Sequence, residues 1–384
     1  MEGNRYLSAT NRDRRAAVVV IGAGITGAFA GYFLAQLGAE VKIIERGQIG
    51  GQASGRNPGG LNPLHGPGIP SPLLDLALAS FRIHLDHWDR IRTLTGAAFN
   101  GRIVSRIHIA LDDSDMASLR GIAALHEQQQ GFEARWLTST EMSNVLPEVT
   151  DAAVGGLWTN GSATVDAQSY TAAVVAAAVR AGAQLIHGEV TNVETRGHRI
   201  SGAVVDGRVH RCDAAVLAPG PWWQTMSHWF AVDVGVRPVK GDLLLAEPPS
   251  GAPVSDLSWK HLGIYAVNER RVWLGGTEED VGFDPTPSEA SRDAILAGIA
   301  TLLPAWTPGR VVDHVAGLRP TTTDGLPLVG KLEPWENVYL AGGGGRKGML
   351  FAPALGLAAA QLSTAGSTQL PVGPCRPDRP GLAA

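Results

Sequence analysis

Residues 16–27 read Ala16-Ala17-Val18-Val19-Val20-Ile21-Gly22-Ala23-Gly24-Ile25-Thr26-Gly27, and an apolar stretch then leads to Glu40-Val41-Lys42-Ile43-Ile44-Glu45-Arg46. Ala17 to Ile21 is a short run rich in β-branched residues, the pattern of a strand buried on both faces. Gly22, Gly24 and Gly27 follow at GxGxxG spacing. Gly22 allows a tight turn, Gly24 lets the backbone approach a pyrophosphate, and Gly27 lets the next helix pack close to the strand. Thr26 opens that helix, read as roughly 26–37, whose free N–H groups point at phosphates, and Ile25 and Thr26 are read as cofactor-binding. Gly38 stops it. Val41 to Ile44 is the second strand. Glu45 lies 18 residues after Gly27, where a carboxylate takes the ribose hydroxyls of a dinucleotide. It favours a free 2′-hydroxyl over a 2′-phosphate, and Arg46 beside it weakens that preference. The motif alone leaves FAD and NAD both open.

The chain has 384 residues, too many for one core, so two domains are expected. Hydrophobic residues make up 44% and charged residues 18%, an ordinary globular balance. The net charge of −4 with no basic stripe argues against a nucleic-acid partner. Cys212 and Cys375, the only cysteines, lack CxxC or metal-like spacing, so we expect free thiols, no metal and a cytoplasmic location. Arg14-Arg15 precedes an apolar run, but that run carries the glycine fingerprint, so a twin-arginine signal is rejected. No apolar run of membrane-spanning length free of glycine stands out. Residues 1–13 and 366–384 read as flexible tails.

After Glu45 comes a stretch too glycine-rich for helix or strand. Ser54, Arg56 and Asn57 are its candidate donors to a pyrophosphate. Residues 72–94 show the apolar spacing of an amphipathic helix, Leu73, Leu76, Leu78, Phe81, Leu85, Trp88 and Ile91, with His84 and His87 read as solvated among its charges. Residues 103–110 read as a strand, 113–131 as a polar helix, and 168–181 as a buried helix with Asp166 at its N-cap. Residues 285–303 read as a helical hairpin.

The loop Gly51-Gln52-Ala53-Ser54-Gly55-Arg56-Asn57-Pro58-Gly59-Gly60 resembles the second FAD-binding loop of the D-amino-acid oxidase superfamily. Within it the likeness is closest to glycine oxidase and sarcosine oxidase-type amine oxidases. Three further stretches agree: Ala214 to Gly220, Gly317 to Gly330, and Val338 to Leu350. The resemblance spans about residues 16–362. It implies FAD rather than NAD, and contacts from Ala53 and from Gly59, Gly60 and Leu61 near the flavin ring. It implies a main-chain contact from Val190 to adenine and close approach at Ala218 and Gly220. It also implies that Gly343, Gly345, Lys347, Gly348 and Met349 carry N–H groups to the flavin, with the helix dipole behind them. Arg319 matches the arginine that holds the substrate carboxylate, Tyr265 an active-site tyrosine, and Arg346 a second active-site arginine. For Arg319 a structural salt bridge is the competing reading, and for Tyr265 a plain core position. His261 and Trp223 read as structural, and Lys240 is left unassigned.

Two departures from the family pattern matter. Gly344 and Gly345 stand where glycine oxidases carry bulky residues, which enlarges the expected pocket. No cysteine lies near Arg319 or Arg346, so FAD is expected to be non-covalent.

The resemblance thus implies an α/β fold. A Rossmann-type (glutathione reductase-like) FAD domain is expected from 14–82, 150–232 and 315–365. A substrate domain with a mixed, largely antiparallel sheet is expected from 83–149 and 233–314. The implied function is oxidation of an amino acid or related carboxylated amine, with dioxygen as acceptor and no membrane partner. Homo-oligomerisation remains open. A dehydrogenase passing electrons to a quinone or carrier, and a flavin-binding protein without turnover, are the alternatives.

Overall fold

The computed structural model describes residues 15–306 and 309–382. The arm expected over 1–13 lies outside them. The first strand, Ala17–Ile21, lies inside a six-stranded sheet. Ala214–Leu217 and Glu40–Glu45 flank it, both parallel to it. Val338–Gly342 and Gln184–His187 extend the parallel set, and Leu328–Lys331 closes one edge in the antiparallel sense.

Strand alternation sorts the first run of valines between two cores. Val18 and Val20 face a core built with the helices Ile25–Gln36, Leu74–Thr95, Ala167–Arg180 and Gly348–Ala365. Val19 and Ile21 face another core, built with a three-stranded antiparallel sheet over 190–211 and the helix Trp223–Phe230. Covering both faces is what makes the strand apolar throughout. Two helices cross closely because Gly356 lacks a side chain: a Cβ there would lie 2.7 Å from the main-chain nitrogen of Ala30. Gly345–Ala365 is apolar and long enough to cross a membrane by composition. Here its residues 349–360 are all buried in the protein core.

A second, nine-stranded sheet stands beside the first. It is antiparallel except where Asp256–Trp259 pairs with Gly101–Ala110. Its apolar face, including Ile107, Leu257, Ile264 and Leu274, packs with the helix Glu289–Leu302. The strands Val236–Glu247 and Arg310–Thr322 pair along almost their whole length, with Lys240 opposite Leu318 and Gly241 opposite Gly317.

Several expectations change. Strand Gly155–Val165, expected with the FAD segments, pairs in the nine-stranded sheet, as does Gly60–Leu61. Helix Leu74–Thr95 continues past residue 82 as one unit packed on the first core. The polar helix over 113–131 is two short helices, Asp113–Ser118 and Arg120–Gln128. The hairpin region holds the single helix Glu289–Leu302, capped by Ser288, whose side chain accepts from Ser291 N. Asp166 caps its helix as read, accepting from Ser169 N.

His84 and His87 are buried rather than solvated. Their helix is covered on more than its apolar stripe, and both rings find partners there. His84 pairs Nδ1 with the Tyr170 hydroxyl at 2.9 Å and Nε2 with the Met349 carbonyl at 3.0 Å. His87 Nδ1 lies 3.2 Å from the Tyr32 hydroxyl. Burial lowers both imidazoles to about 4. The stretch read as a C-terminal tail folds back over 366–382. Leu370 and Cys375 enter one core and Leu382 the other. Arg379 clamps the segment with Nε 2.7 Å and Nη2 2.9 Å from the Asp324 carboxylate. Composition signalled flexibility, but a few apolar anchors and one ion pair suffice to hold a short segment.

Candidate functional site

The glycine turn is shaped by the strand beside it. Gly22 has φ of +101°, and a Cβ there would lie 2.3 Å from the Ala218 carbonyl oxygen. No side chain fits, so the turn and the third glycine loop meet main chain to main chain. Gly22 N donates to Ile44 O at 2.8 Å. Glu45, at the end of the second strand, accepts from Ala23 N and from Gly47 N, each at 2.8 Å. Its carboxylate is thereby fixed at the wall of a cavity.

The loop after Glu45 folds onto the helix start. Ser54 Oγ accepts from Ile25 N at 3.0 Å. Asn57, expected as a pyrophosphate donor, instead donates its amide to the carbonyls of Ala53 and Ser54 at 2.9 and 2.8 Å. Two carbonyls of its own loop occupy both amide hydrogens, so Asn57 acts as the brace of that loop. Arg56 donates through Nη1 to Ala316 O at 3.0 Å. Arg46 pairs with Glu189 at 3.1 Å and lies over the Trp222 ring, 4.6 Å from its centroid.

These residues border one cavity of about 800 Å³ that runs from Glu45 and Val190 to Tyr265 and Arg319. Every residue expected at the site lines it except Gly59 and Leu61. Gly59 faces the other way, where a Cβ would lie 1.8 Å from Val165 O, and Leu61 is wholly buried in a core. Strand alternation turns Gly60 to the cavity and Leu61 away from it.

The cavity fits FAD. Gly342 and Gly348 line it, and a Cβ at either would meet nothing within 4 Å, so they present bare backbone beside open space. At one end sit the anchored acid and the glycine turn, the donor set for a ribose and a pyrophosphate. Glu45, Gly22, Gly24 and Ser54 could hold that end, and the 342–349 loop could hold the ring end.

The other end is cationic. Arg319 projects from Arg310–Thr322, and its Nη1 donates to the Thr277 carbonyl at 3.0 Å and, at longer range, to the Lys240 carbonyl at 3.5 Å. A Cβ at Gly241 would lie 2.0–2.2 Å from Nη2, Cζ and Nη1, so Gly241 is the floor on which the guanidinium rests. Burial, then the charge of Arg346, lowers the pKa of Arg319. Arg346 itself stands 3.7 Å from Glu278. Lys347 passes over Gly66, and its Nζ donates to Asn62 O at 2.9 Å. Burial pushes its ammonium down to about 7, with Arg106 and Arg346 adding to the shift.

Tyr265 stands across this end. Its ring covers Gly60 and Gly263, at which a Cβ would lie 3.2 and 2.6 Å away. Arg106 holds its guanidinium 4.7 Å from the ring centroid and pairs with the buried Asp256 at 3.1 Å. His65 also lines the cavity, where burial holds its imidazole well below the ordinary value. Sequence reasoning missed Gly241, Arg106, Asp256 and His65. Gly241 carried no sequence signal, because its place opposite Gly317 depends on strand register. Arg106 and Asp256 carry no motif. His261 and Trp222 prove to be wall residues, whereas Trp223 is core, as read. Lys240 points away to Glu279, 2.9 Å from it, and takes no part in the cavity wall.

A family model described as FAD dependent oxidoreductase (DAO) matches residues 17–362. Glycine oxidase of Geobacillus kaustophilus is 29% identical over 357 residues, covering 90% of this chain and 92% of that one. Glycine oxidase of Pseudomonas aeruginosa is 28% identical over 359 residues, covering 88% and 92%. The crystal structure of glycine oxidase from Geobacillus kaustophilus superimposes with a TM-score of 0.87 at 28% identity, over 95% of this chain and 99% of that one.

Proposed function

We propose, from the premise that this chain belongs to the DAO family of FAD-dependent oxidoreductases and is an amine or amino-acid oxidoreductase, that it oxidises a small amine bearing a carboxylate and passes the electrons to dioxygen. The observation that carries this reading is Arg319, a guanidinium in the cavity wall whose hydrogen bonds among the described residues go to main-chain carbonyls and not to a carboxylate. A planar guanidinium free of an acidic partner can take a carboxylate by two parallel bonds. Tyr265 then bounds the substrate from the opposite side and, with Arg319, limits the poses in which its α-carbon faces the ring end.

When bound, FAD supplies the acceptor for the hydride leaving the carbon next to the amine nitrogen and returns the electrons to dioxygen as hydrogen peroxide. Arg319, Arg346 and Lys347 disfavour an ammonium beside them, so the amine enters neutral and its lone pair is available as the hydride departs. His65 stays neutral by burial. No side-chain base is required for this step. The residues bind, orient and shed water, and the imine hydrolyses after release.

Anaerobic addition of glycine, sarcosine, and D- and L-amino acids to the FAD-loaded protein tests the reading. We expect one of them to bleach the flavin band and air to restore it with peroxide. Bleaching without peroxide on exposure to air would make it a dehydrogenase, and a flavin that no amine bleaches would reject the oxidase.

A further inference from the structure

Lys240 is a buried cation to which the site above gives no role. Strand alternation turns Val239 and Gly241 towards Arg319 and sends Lys240 and Asp242 to the reverse face of the same strand. Only 3% of the Lys240 side chain is exposed, and an ammonium so buried needs a partner. Its Nζ lies 2.9 Å from the Glu279 carboxylate and donates to the Thr286 carbonyl at 3.0 Å. The main chains of Lys240 and Glu279 also exchange two hydrogen bonds, each of 2.9 Å. The hydrogen bond from the Lys240 side chain holds the Glu279 carboxyl below its ordinary value.

Both partners of this ammonium lie in one loop. Residues 276–288 join the strand Val272–Gly275 to the helix Glu289–Leu302 with no helix or strand of their own. Residues 280–287 are exposed, so burial does little to fasten the loop and polar anchors must do it. Ser288 Oγ donates to the Glu279 carboxylate at 3.0 Å, which closes the loop at its neck. Asp242 N donates to Thr277 Oγ1 at 2.9 Å. The Thr277 carbonyl is the 3.0 Å acceptor of Arg319 Nη1, and the Lys240 carbonyl is its longer one. The guanidinium therefore lies across the seam that Lys240 and Glu279 close. Glu278, next on the loop, faces Arg346 at 3.7 Å.

We propose that Lys240 is a positioning residue for substrate binding: with Glu279 it fastens the 276–288 loop from the reverse face of the strand, and so fixes the Thr277 carbonyl that directs the Arg319 guanidinium to a carboxylate. This rests on the carboxylate role given to Arg319 above and names what sets the direction of that guanidinium. Without the pair, the Thr277 carbonyl moves with its loop and Nη1 loses its nearer acceptor.

The test uses the FAD-loaded enzyme and (methylthio)acetate, an unreactive thioether with one carboxylate, whose binding is read from the perturbation of the flavin absorbance. Hydrogen exchange over residues 276–288 and release of FAD are measured on the same samples. Lys240→Met should weaken the probe by about tenfold, the value of one charge-assisted pair. It should also speed exchange in the loop, with FAD held as tightly as before. Lys240→Arg, which keeps a cation for Glu279, should restore part of both. Glu279→Gln alters only a partly exposed side chain and should give a smaller change of the same kind, so the test stands even where Lys240→Met does not fold. Unchanged probe binding, weaker binding without faster exchange, or an equal loss of FAD affinity would overturn the positioning role while leaving the carboxylate role of Arg319 intact. If the unaltered enzyme gives no response to (methylthio)acetate, the carboxylate reading of Arg319 fails, and this proposal with it.

Discussion

Gly241→Ala separates the placement of Arg319 from its presence. The added Cβ would lie 2.0–2.2 Å from three atoms of the guanidinium. Ordinary contact needs about 3.5 Å, so the group must move by about 1.5 Å. The obstacle is the far end of a flexible side chain, so the strand can stay where it is and the guanidinium gives way. The Thr277 carbonyl contact at 3.0 Å and the carboxylate geometry are then both lost. A misplacement of this size costs about 100-fold in rate, or roughly 2.7 kcal/mol of transition-state stabilisation. Thermal stability should change by less than about 1 kcal/mol, since nothing buried is removed. The assay is anaerobic flavin reduction by a carboxylated amine, with (methylthio)acetate binding and a melting curve as companions. The cycle is completed in an Arg319→Ala background, where Gly241→Ala should be nearly silent. An equal loss in both backgrounds, or full activity in the single variant, would refute the floor role of Gly241.

Three further outcomes follow from the same structure. His84, at about 4 when folded and near 6.5 when unfolded, binds fewer protons in the native state. Its contribution is therefore present above pH 6.5 and lost as pH falls towards 4, about 3 kcal/mol in full. Urea unfolding at pH 7 and pH 4.5 should show the slope, to which His87 adds its own share, and His84→Gln should reduce it. Asp256→Ala strands the buried Arg106 and should cost about 3–5 kcal/mol, whereas the joint change Arg106→Met with Asp256→Leu should recover most of it; melting temperatures decide. Glu45→Ala should weaken FAD binding by tenfold or more, read from released flavin fluorescence, because the strand end loses its acceptor for the ribose. Unchanged FAD affinity in that variant would remove Glu45 from the role.

The sequence by itself determined whatever lies within one short stretch. Strand, glycine turn, helix, strand and acid follow each other over residues 17–45. Each step is set by local rules of periodicity and glycine placement, so the Rossmann-type unit could be read from left to right. The resemblance of four spaced stretches then implied FAD and nominated Arg319, Tyr265 and Arg346, all of which line one cavity. Only the tertiary structure decided what those side chains meet. Gly241 lies beneath Arg319 because two strands pair in one register across 78 residues of chain. Arg106 meets Asp256 across 150. His84 finds Tyr170 and Met349 inside the helix layer, although its neighbours in sequence are charged and polar. The C-terminal stretch is folded by Arg379 reaching back to Asp324, against a composition that signals a loose tail. Contacts between residues far apart in sequence depend on register and layer order. Composition and local periodicity carry neither, because they describe how a segment prefers to lie and not which distant segment lies against it.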